Sequence, residues 1–432
     1  MARAVGAGQF IAELAALAGA ASVRPAVETD AIDAIAPALV VEPETPEVLA
    51  AVLAWASRQG ARVVLRGGGT RLAWGRRPAP FDLVLSTGRL NRILHHEPGD
   101  LTVSVAAGMP VATLNRELAV HGQALPLDVP SDASTVGGLL AVTDSGPRRH
   151  RHGAPRDLLI GVHLATTDGR LVKAGGNVVK NVAGYDLGRL MCGSFGSLAA
   201  IVSATFKLAP APAATASLVC DFASAGALGR ASAAIAGSQL DPMCVDVRID
   251  AGAGVAPGGT HRLLIRFAGL PQVNDAQLAE AERRLAPFDP RQSDAASGEA
   301  ERQVWDDQTR GPWSSSGAVV KLSWLPATLP AVADLVATLG RTTGATLTLT
   351  ARAALGTGHL RVDGDTRSQA TAITTLRTRP DIVSHVVIAR ASSDVKALAD
   401  VWGPPGDTMV LLQRVKNTLD PQGVLNASRG PI

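Results

Sequence analysis

The chain of 432 residues has few cysteines, few aromatic residues and no long apolar run. Its three cysteines, Cys192, Cys220 and Cys244, form no Cys-x-x-Cys pair, which argues against an iron–sulfur cluster or structural zinc and favours a reducing compartment. Aromatic residues make up 3% of the chain and do not alternate with a lysine/arginine cluster, so nucleic acid is not predicted as a partner. No stretch approaches the ~18 uninterrupted apolar residues of a membrane span.

Length and composition predict a globular protein of two or three domains. Hydrophobic residues make up 46% and charged residues 18%, and the net charge is only +3. The apolar stretch at 10–21 contains Glu13 and is preceded by a single basic residue, Arg3, which favours an amphipathic first helix over a secretory signal. The basic run at 148–152 is either a solvated loop or an anion-binding segment.

The central motif is Arg66-Gly67-Gly68-Gly69-Thr70-Arg71-Leu72, which directly follows three apolar residues that predict a buried strand. Glycines free the backbone from side-chain restriction, and such a loop can direct several N–H groups at a phosphate. A strand at 39–41 and a helix from Pro46 to the residue before Gly60 precede it, with Thr45 as N-cap. The sequence therefore predicts a strand–helix–strand unit with a phosphate loop at the exit of its second strand. It also predicts that Gly68→Asp abolishes cofactor binding, because the carboxylate would meet the phosphates.

Other segments of the first half are consistent with this motif. Strands are predicted at 81–85, 101–105 and 200–208, a helix at 110–120, and a hairpin at 159–173 around the Asp168-Gly169 turn. Small hydroxyls and two glycines at 130–138 enter an apolar helix and predict a second close approach to a ligand. The Ala/Pro-rich residues 209–214 are predicted to be a stiff, featureless linker and a domain boundary.

The second half changes pattern. Strands and helices alternate as two approximate β-α-β-β-α units, which predicts one antiparallel sheet covered by helices. The polar stretch at 290–298 between them is predicted to lack regular structure. A last helix is predicted at 409–419.

These segments together resemble flavoproteins of the vanillyl-alcohol oxidase/p-cresol methylhydroxylase (PCMH) type. The resemblance rests on five segments in the family's order: residues 66–70, 132–138 with Ser145-Gly146, 151–157, 179–187 followed by 193–198, and Asp420-Pro421-Gln422-Gly423-Val424-Leu425-Asn426. The fourth segment is similar to the glycolate oxidase and D-lactate dehydrogenase branch.

The resemblance implies an α+β protein with a PCMH-type two-subdomain FAD-binding domain at 1–210. A smaller α+β cap domain with an antiparallel sheet follows at 211–408, and a helix and tail at 409–432 return to the FAD domain. The FAD is expected to be noncovalent, because Thr70 and Arg71 stand where members that attach flavin carry a histidine. The FAD-contacting residues that the resemblance implies are Arg66, Gly67, Gly68, Gly69, Thr70, Arg71, Leu72, Asp132, Thr135, Val136, Gly137, Gly138, Ser145, Gly146, His152, Gly153, Gly196, Ile201, Val202 and Asn426.

One departure from the family concerns the cap. Hydroxy-acid dehydrogenases of this branch carry two nearby histidines that hold a metal, whereas the matching residues 356–363 contain only His359. No metal site is therefore predicted, and His359, Arg352, Arg361 and Lys321 remain as weak catalytic candidates. An intact FAD scaffold without that site resembles the FAD-binding E subunit of bacterial glycolate oxidase, which supports oxidation of glycolate to glyoxylate.

The resemblance implies a hetero-oligomer with a larger FAD-containing catalytic subunit and an iron–sulfur subunit. It further implies a cytoplasmic location, with attachment to the inner membrane only through those subunits. Two alternatives remain open from the sequence. The chain could be a self-sufficient FAD-dependent 2-hydroxy-acid dehydrogenase, or a degenerate flavoprotein scaffold without catalysis.

Overall fold

The computed structural model describes residues 7–176, 184–256 and 258–431. Within these residues the chain divides into two compact units. The first unit holds the residues of Met1–Asp144, Ala154–Pro210 and Pro405–Ile432, and the second holds those of Ser145–Gly153 and Ala211–Pro404. Of the predicted segment 179–187, residues 179–183 lie outside the described residues.

Residues 7–210 alternate between short strands and helices. The helices are α1 Ala7–Ala18, α2 Pro46–Gln59, α3 Val111–Ala119, α4 Val136–Val142, α5 Arg149–His152, α6 Pro155–Leu158 and α7 Leu187–Met191. The strands are β1 Val23–Pro25, β2 Leu39–Val41, β3 Val63–Arg66, β4 Leu83–Ser86, β5 Ile93–Glu97, β6 Thr102–Ala106, β7 Gln123–Ala124, β8 Leu159–Ala165, β9 Leu171–Gly175, β10 Ala200–Lys207 and β11 Ala209–Pro210. Helix α5 belongs to the second unit.

The first sheet has the strand order β1-β2-β4-β3, and β4 runs parallel to both β2 and β3. Helix α2 connects β2 to β3, as the sequence predicts. The Thr45 hydroxyl accepts the N–H of Val48 at 3.3 Å and so caps the helix, and Gly60 ends it in the left-handed conformation with φ 65°. The glycine loop therefore lies at the carboxyl ends of the three parallel strands β2, β4 and β3.

The second sheet is antiparallel, in the order β5-β6-β10-β8-β9. Strand β5 was missed by the sequence prediction because its five residues, two of them histidines and one an acid, carry no apolar alternation. The prediction of a featureless linker at 209–214 is wrong, because β11 pairs with β7 and the next strand begins at Ala214.

Residues 211–404 form the bulk of the second unit. Its strands are β12 Ala214–Asp221, β13 Cys244–Ala251, β14 Arg262–Gly269, β15 Gln292–Ser297, β16 Ala318–Ser323, β17 Thr346–Arg352, β18 Thr357–Asp363 and β19 His385–Arg390. Its helices are α8 Ala225–Ala236, α9 Pro271–Leu285, α10 Gly298–Arg310, α11 Leu329–Thr343, α12 Thr366–Arg377 and α13 Ser393–Leu398. The strands form one antiparallel sheet in the order β15-β12-β14-β13-β17-β18-β16-β19, which confirms the predicted architecture.

The prediction that residues 290–298 lack regular structure is wrong. Strand β15 is an edge strand paired with β12, and nearly all of its residues are exposed, so its sequence shows no apolar period. Helix α10 buries Glu301, Trp305 and Gln308, and two of these three are polar. Glu301 accepts hydrogen bonds from the hydroxyls of Thr215 and Ser217 and pairs with Arg266, so a polar side chain takes the place that an apolar one would normally have.

The chain ends with helix α14, Met409–Leu419, and a tail that packs within the first unit. Lys416 forms a buried ion pair with Asp420 at 2.5 Å and donates to the carbonyl of Ser197 at 2.7 Å. The N–H of Val63 donates to the carbonyl of Val424 at 2.8 Å, next to a parallel bridge between Val63 and Leu425. The tail is thus fixed beside the strand that carries the glycine loop. In the part of the chain described, no helix combines the length and apolar character needed to cross a membrane.

Candidate functional site

Two adjoining clefts of the first unit lie at the glycine loop. They share six lining residues and form one groove. Together they are lined by Leu65, Arg66, Gly67, Gly68, Gly69, Thr70, Arg71, Leu72, Thr87, Thr135, Gly137, Gly138, Ala141, Val142, Phe195, Gly196, Ala199, Ile201 and Arg429. The structure therefore brings together most of the residues that the sequence predicts to contact a cofactor. We call this groove the glycine cleft.

The glycine loop packs directly on the segment that precedes α4. A Cβ on Gly67 would lie 2.1 Å from Thr135 Oγ1, and one on Gly68 would lie 1.7 Å from the carbonyl oxygen of Ala133. A Cβ on Gly69 would make only ordinary contacts, 3.8 Å from Leu72 Cδ1 and 3.9 Å from Arg66 Cδ, but the φ of 74° disfavours other residues. Two of the three glycines are therefore required by contact between the two loops, and the third by its backbone conformation.

The same loop presents unused backbone donors. Among the described residues, the N–H groups of Gly67, Gly68, Gly69 and Thr70 donate to no protein acceptor. Backbone donors in a folded protein are nearly always satisfied, and successive N–H groups in a loop form a concave site for an anion. The geometry therefore fits an anionic group with several oxygens.

Arg66 lines the cleft but directs its guanidinium at carboxylates. It contacts Asp30 at 2.6 Å and Glu42 at 3.9 Å. The Arg24 guanidinium holds the pKa of Asp30 far below its usual range, and burial opposes this shift. Hydrogen bonds from the backbone N–H of Val27 and from the Arg66 side chain lower the pKa further. Asp30 is 2% exposed. Arg66 is thus held in place by a neutralising charge rather than left as a mobile cation.

Arg71 is paired in a similar way within the first unit. Its Nη2 lies 2.9 Å from Asp144 Oδ2, and its Nη1 donates to Ser134 Oγ at 3.2 Å. The guanidinium also lies 5.4 Å from the ring centroid of Trp74. Because both members of the ion pair are buried, this contact ties the glycine loop to the end of α4.

Arg429 is a residue of the cleft that the sequence prediction missed. It is buried and donates to the carbonyls of Leu72 at 2.5 Å and Trp74 at 2.8 Å, and to the Asn426 side chain at 3.2 Å. Burial lowers the pKa of Arg429 to about 10, and the negative charge of Asp33 acts in the opposite direction. Its position, three residues after Asn426 in the tail, was the available sequence signal.

The tail also supports the cleft through Asn426. This residue has φ 63° and donates to the carbonyl of Phe195, which itself lines the cleft with φ 57°. Asn426 is thus placed to support the lining residues. Phe195 and Thr87 were not predicted, and neither belongs to a phosphate-loop pattern.

Several predicted cofactor residues lie elsewhere. Asp132 is exposed and outside the lining of both clefts, and Val136 is buried with its N–H bonded to the carbonyl of Met109. Val202 belongs to another core cluster and lines a different cavity, because successive strand residues point to opposite faces. Four further predicted cofactor residues, Ser145, Gly146, His152 and Gly153, lie in the segment Ser145–Gly153, which belongs to the second unit.

The four catalytic candidates lie in the second unit on one face of its sheet. Lys321 on β16 is directly opposite His359 on β18, which is opposite Thr350 on β17. Arg361 follows His359 by two residues and Arg352 follows Thr350 by two, so all four candidates share the face turned away from the aliphatic core.

These candidates are engaged in contacts within the unit. Arg361 pairs with Asp363 at 2.7 Å and donates to the carbonyl of Gly311 at 2.6 Å. Arg352 is buried and donates to the carbonyls of Thr350, Thr357 and Ser145. The buried imidazole of His359 packs edge-on against Trp313, with 5.3 Å between the ring centroids.

Other reactive groups are few in the part of the chain that the structure describes. No group of three histidine, cysteine, aspartate or glutamate side chains is placed to hold a metal ion there. Burial raises the pKa of the Cys192 thiol to about 12 and also raises that of Cys220. These thiols are therefore poor nucleophiles at neutral pH.

Part of the chain that contains the glycine loop is similar to known proteins. Residues 37–175 match the family model of an FAD binding domain. The chain is 36% identical over 177 residues to D-2-hydroxyglutarate dehydrogenase of Xanthomonas citri pv. viticola, covering 41% of this chain and 38% of that protein. It is 37% identical over 153 residues to glycolate oxidase subunit GlcE of Escherichia coli, covering 35% of this chain and 43% of that protein.

A solved structure of alkyldihydroxyacetonephosphate synthase has the same fold. The TM-score is 0.67 at 16% identity, covering 90% of this chain and 76% of that chain. The predicted fold class and the predicted cofactor, FAD, are confirmed. The chain spans about two fifths of the length of the curated relatives it matches.

Proposed function

We propose that this chain, which carries a PCMH-type FAD-binding domain, is the FAD-binding subunit of a glycolate oxidase complex. The proteins it is similar to include a glycolate oxidase subunit and a dehydrogenase of another 2-hydroxy acid. In this proposal the complex oxidises glycolate to glyoxylate, and a larger flavin-containing subunit and an iron–sulfur subunit are its partners. FAD, when bound, accepts a pair of electrons from an organic substrate and passes them onward.

The donors and apolar walls of the glycine cleft suit the pyrophosphate and ring system of FAD. The N–H groups of Gly67 to Thr70 would hold the pyrophosphate, and Arg429 would add a guanidinium to the same groove. Leu65, Ala141 and Ile201 supply apolar wall for a ring system. Polar donors beside apolar walls are the usual composition of a nucleotide pocket.

The chain's own charges prepare the cleft. Asp30 fixes Arg66 and Asp144 fixes Arg71, so the loop reaches its binding shape before a ligand enters. Preorganised donors lose little conformational freedom when they bind an anion, which strengthens the interaction. FAD is proposed to be noncovalent, because Thr70 and Arg71 follow the glycines where a histidine would be needed to attach the flavin.

The subunit assignment depends on one observation: the candidate catalytic side chains on the sheet of the second unit are already engaged in contacts. Arg361 and Arg352 are both bound to groups of their own unit, and His359 packs against Trp313. A guanidinium that already holds a carboxylate or several carbonyls is poorly suited to hold a substrate carboxylate as well. We therefore assign the oxidation of the hydroxy acid to the partner flavin subunit.

The test is anaerobic reduction of the flavin in the isolated chain by glycolate and D-lactate. We expect stoichiometric FAD that acid releases, no bleaching by either substrate, and full bleaching by dithionite as the positive control. Co-expression with the two partner subunits should restore glycolate-dependent bleaching. Rapid bleaching of the isolated chain by glycolate would contradict the subunit assignment.

One observation supports a second candidate function, a self-sufficient dehydrogenase. Lys321, His359 and Arg361 lie on one sheet face in adjacent register, and such a face could bind a carboxylate and accept a proton. If the isolated chain is bleached by a hydroxy acid, substitution of His359 by Ala should slow that reduction. A protein purified without FAD would instead contradict both functions and favour the scaffold alternative.

A further inference from the structure

A second cavity of the first unit is separate from the glycine cleft. It has a volume of about 430 Å³ and shares no lining residue with either cleft. A volume of this size falls in the range of small-molecule sites, ~300–1,000 Å³. The cavity lies on the five-stranded sheet, between its strands and the start of α2.

The sheet presents one continuous row of side chains to this cavity. Lys173 on β9 is paired with His163 on β8, which is paired with Ser203 on β10, which is paired with Ala106 on β6. Paired residues of neighbouring strands point to the same face. The row therefore runs from two basic residues at one end to an apolar residue at the other.

Apolar side chains form the rest of the floor. Leu90 is 5% exposed and Val202 is 2% exposed, so both are fixed in the core beneath the cavity. Leu94 on β5 and Leu171 on β9 are 45% and 44% exposed at the two edges of the sheet. Exposed leucines beside an apolar floor indicate a binding surface, because covering apolar area with a ligand is favourable.

At the basic end of the row, Lys173 lies directly opposite His163. Like charges directly opposite each other on a sheet are destabilising, so Lys173 disfavours the protonated form of His163 unless an anion lies beside the pair. Burial and the charge of Lys173 lower the pKa of His163. Both side chains are exposed, so an anion can reach them.

The remaining charged residues of the lining leave the cavity basic. Arg89 pairs with Glu44 at 2.8 Å, so these two charges cancel. Glu47, at the first turn of α2, is the other carboxylate, and Arg92 is a further cation. With Lys173, the cations of the lining outnumber its carboxylates three to two, which favours an anionic ligand.

We propose that this cavity is a binding site for an organic anion with an apolar body, such as a medium-chain carboxylate. The carboxylate pairs with Lys173 and accepts a hydrogen bond from His163, and the hydrocarbon chain covers Ala106, Val202 and Leu90. The site is distinct from the FAD cleft and does not depend on the proposed function.

The experiment titrates octanoate into the FAD-loaded protein and measures heat of binding. We expect a single site whose affinity falls about tenfold or more in Lys173→Glu. The matched control is Lys207→Glu, the same charge change on an exposed residue of β10 outside the cavity, which should bind octanoate as the wild type does. Both variants should retain FAD, which checks that the first unit is folded.

Ligand chemistry gives the second part of the test. Affinity should rise about fourfold for each methylene added between butyrate and octanoate, because each buried methylene contributes transfer free energy. Octylamine should not bind, and octanoate should raise the pKa of His163 measured by NMR. The proposal is overturned if octanoate binds Lys173→Glu as tightly as wild type, if octylamine binds as well as octanoate, or if an acidic peptide binds and octanoate does not.

Discussion

Gly68 lies so close to Ala133 that a Cβ on Gly68 would be 1.7 Å from the Ala133 carbonyl oxygen. The two residues belong to segments far apart in the chain, and their contact joins the glycine loop to the segment before α4. No real side chain tolerates such a distance, so the backbone would have to move. The glycine is therefore a packing requirement before it is a feature of ligand binding.

We expect Gly68→Ala to lose FAD, because even a methyl group separates the two segments that line the cleft. This sharpens the sequence prediction for Gly68→Asp, in which charge against the pyrophosphate was the reason given. The measurement is the FAD content of the purified variant. The matched control is Gly69→Ala, whose Cβ would make only ordinary contacts at 3.8 Å and beyond. It should cost only about 1 kcal/mol for its positive φ while keeping FAD. Stoichiometric FAD in Gly68→Ala would disprove the packing argument.

Breaking the ion pair of Arg71 and Asp144 should destabilise the first unit. Either Arg71→Met or Asp144→Asn leaves a buried charge without its partner, at a cost of about 3 kcal/mol in the free energy of unfolding. The double variant should cost clearly less than the sum of the two, because it removes both charges. Urea denaturation of the four proteins in a double-mutant cycle measures this coupling. Additive effects would show that the pair contributes no net interaction.

The Asp30 carboxylate should make stability depend on pH in the acid range. Its folded-state pKa is lowered by Arg24, Val27 and Arg66, so its stabilisation is complete above the unfolded pKa of about 3.9 and is lost as pH falls through the folded value. We expect Asp30→Asn to cost about 3 kcal/mol at neutral pH, and the difference from wild type to shrink below about pH 4.

Denaturation curves at several pH values test this expectation. The control is Asp168→Asn in the exposed hairpin turn, where the effect should stay within about 1 kcal/mol. A difference between wild type and Asp30→Asn that is constant with pH would argue against the charge as its cause. FAD affinity should also fall in Asp30→Asn, because Arg66 loses its fixed position.

Arg429→Met should weaken FAD binding by about tenfold or more, because the guanidinium contributes charge-assisted hydrogen bonds to an anion in the cleft. Arg429→Lys should not restore affinity, since a point charge cannot donate to Leu72, Trp74 and a phosphate at once. Flavin fluorescence titration gives the Kd of each variant. Unchanged affinity in both variants would show that Arg429 only supports the backbone of the loop.

Local patterns in the sequence predicted much of the fold. Helix α2 begins after Thr45 and ends at Gly60, because capping and glycine preferences act over a few residues. The antiparallel sheet of the second unit follows from alternating strands. Helix α10 was missed because its buried face carries Glu301 and Gln308, and only the neighbouring strands and their partners explain why polar residues are buried there.

The site was predicted only in part, because local patterns do not record contacts between residues that are distant in the sequence. The glycine loop and the segment at Thr135 each carry a recognisable pattern. Phe195 lies in the segment 193–198, of which only Gly196 was predicted to contact FAD, and Arg429 lies outside the recognised segments. Val202 was predicted as a cofactor residue but lies on the opposite face of β10 from the cleft, because the residue next to a lining residue in a strand points away from it. Pattern alone places a segment at a site but not each of its side chains.

The sequence by itself determined the glycine loop on a strand–helix–strand unit and the antiparallel second domain, because both depend on residue spacing along a short stretch. The FAD-binding domain followed from the resemblance of five segments to PCMH-type flavoproteins. Only the tertiary structure decided that Gly67 and Gly68 are required by loop-to-loop contact, that Asp30 and Asp144 hold the arginines of the loop, and that Arg429 enters the cleft. Those contacts join residues distant in sequence, and their energies depend on burial and distance, which no local pattern records.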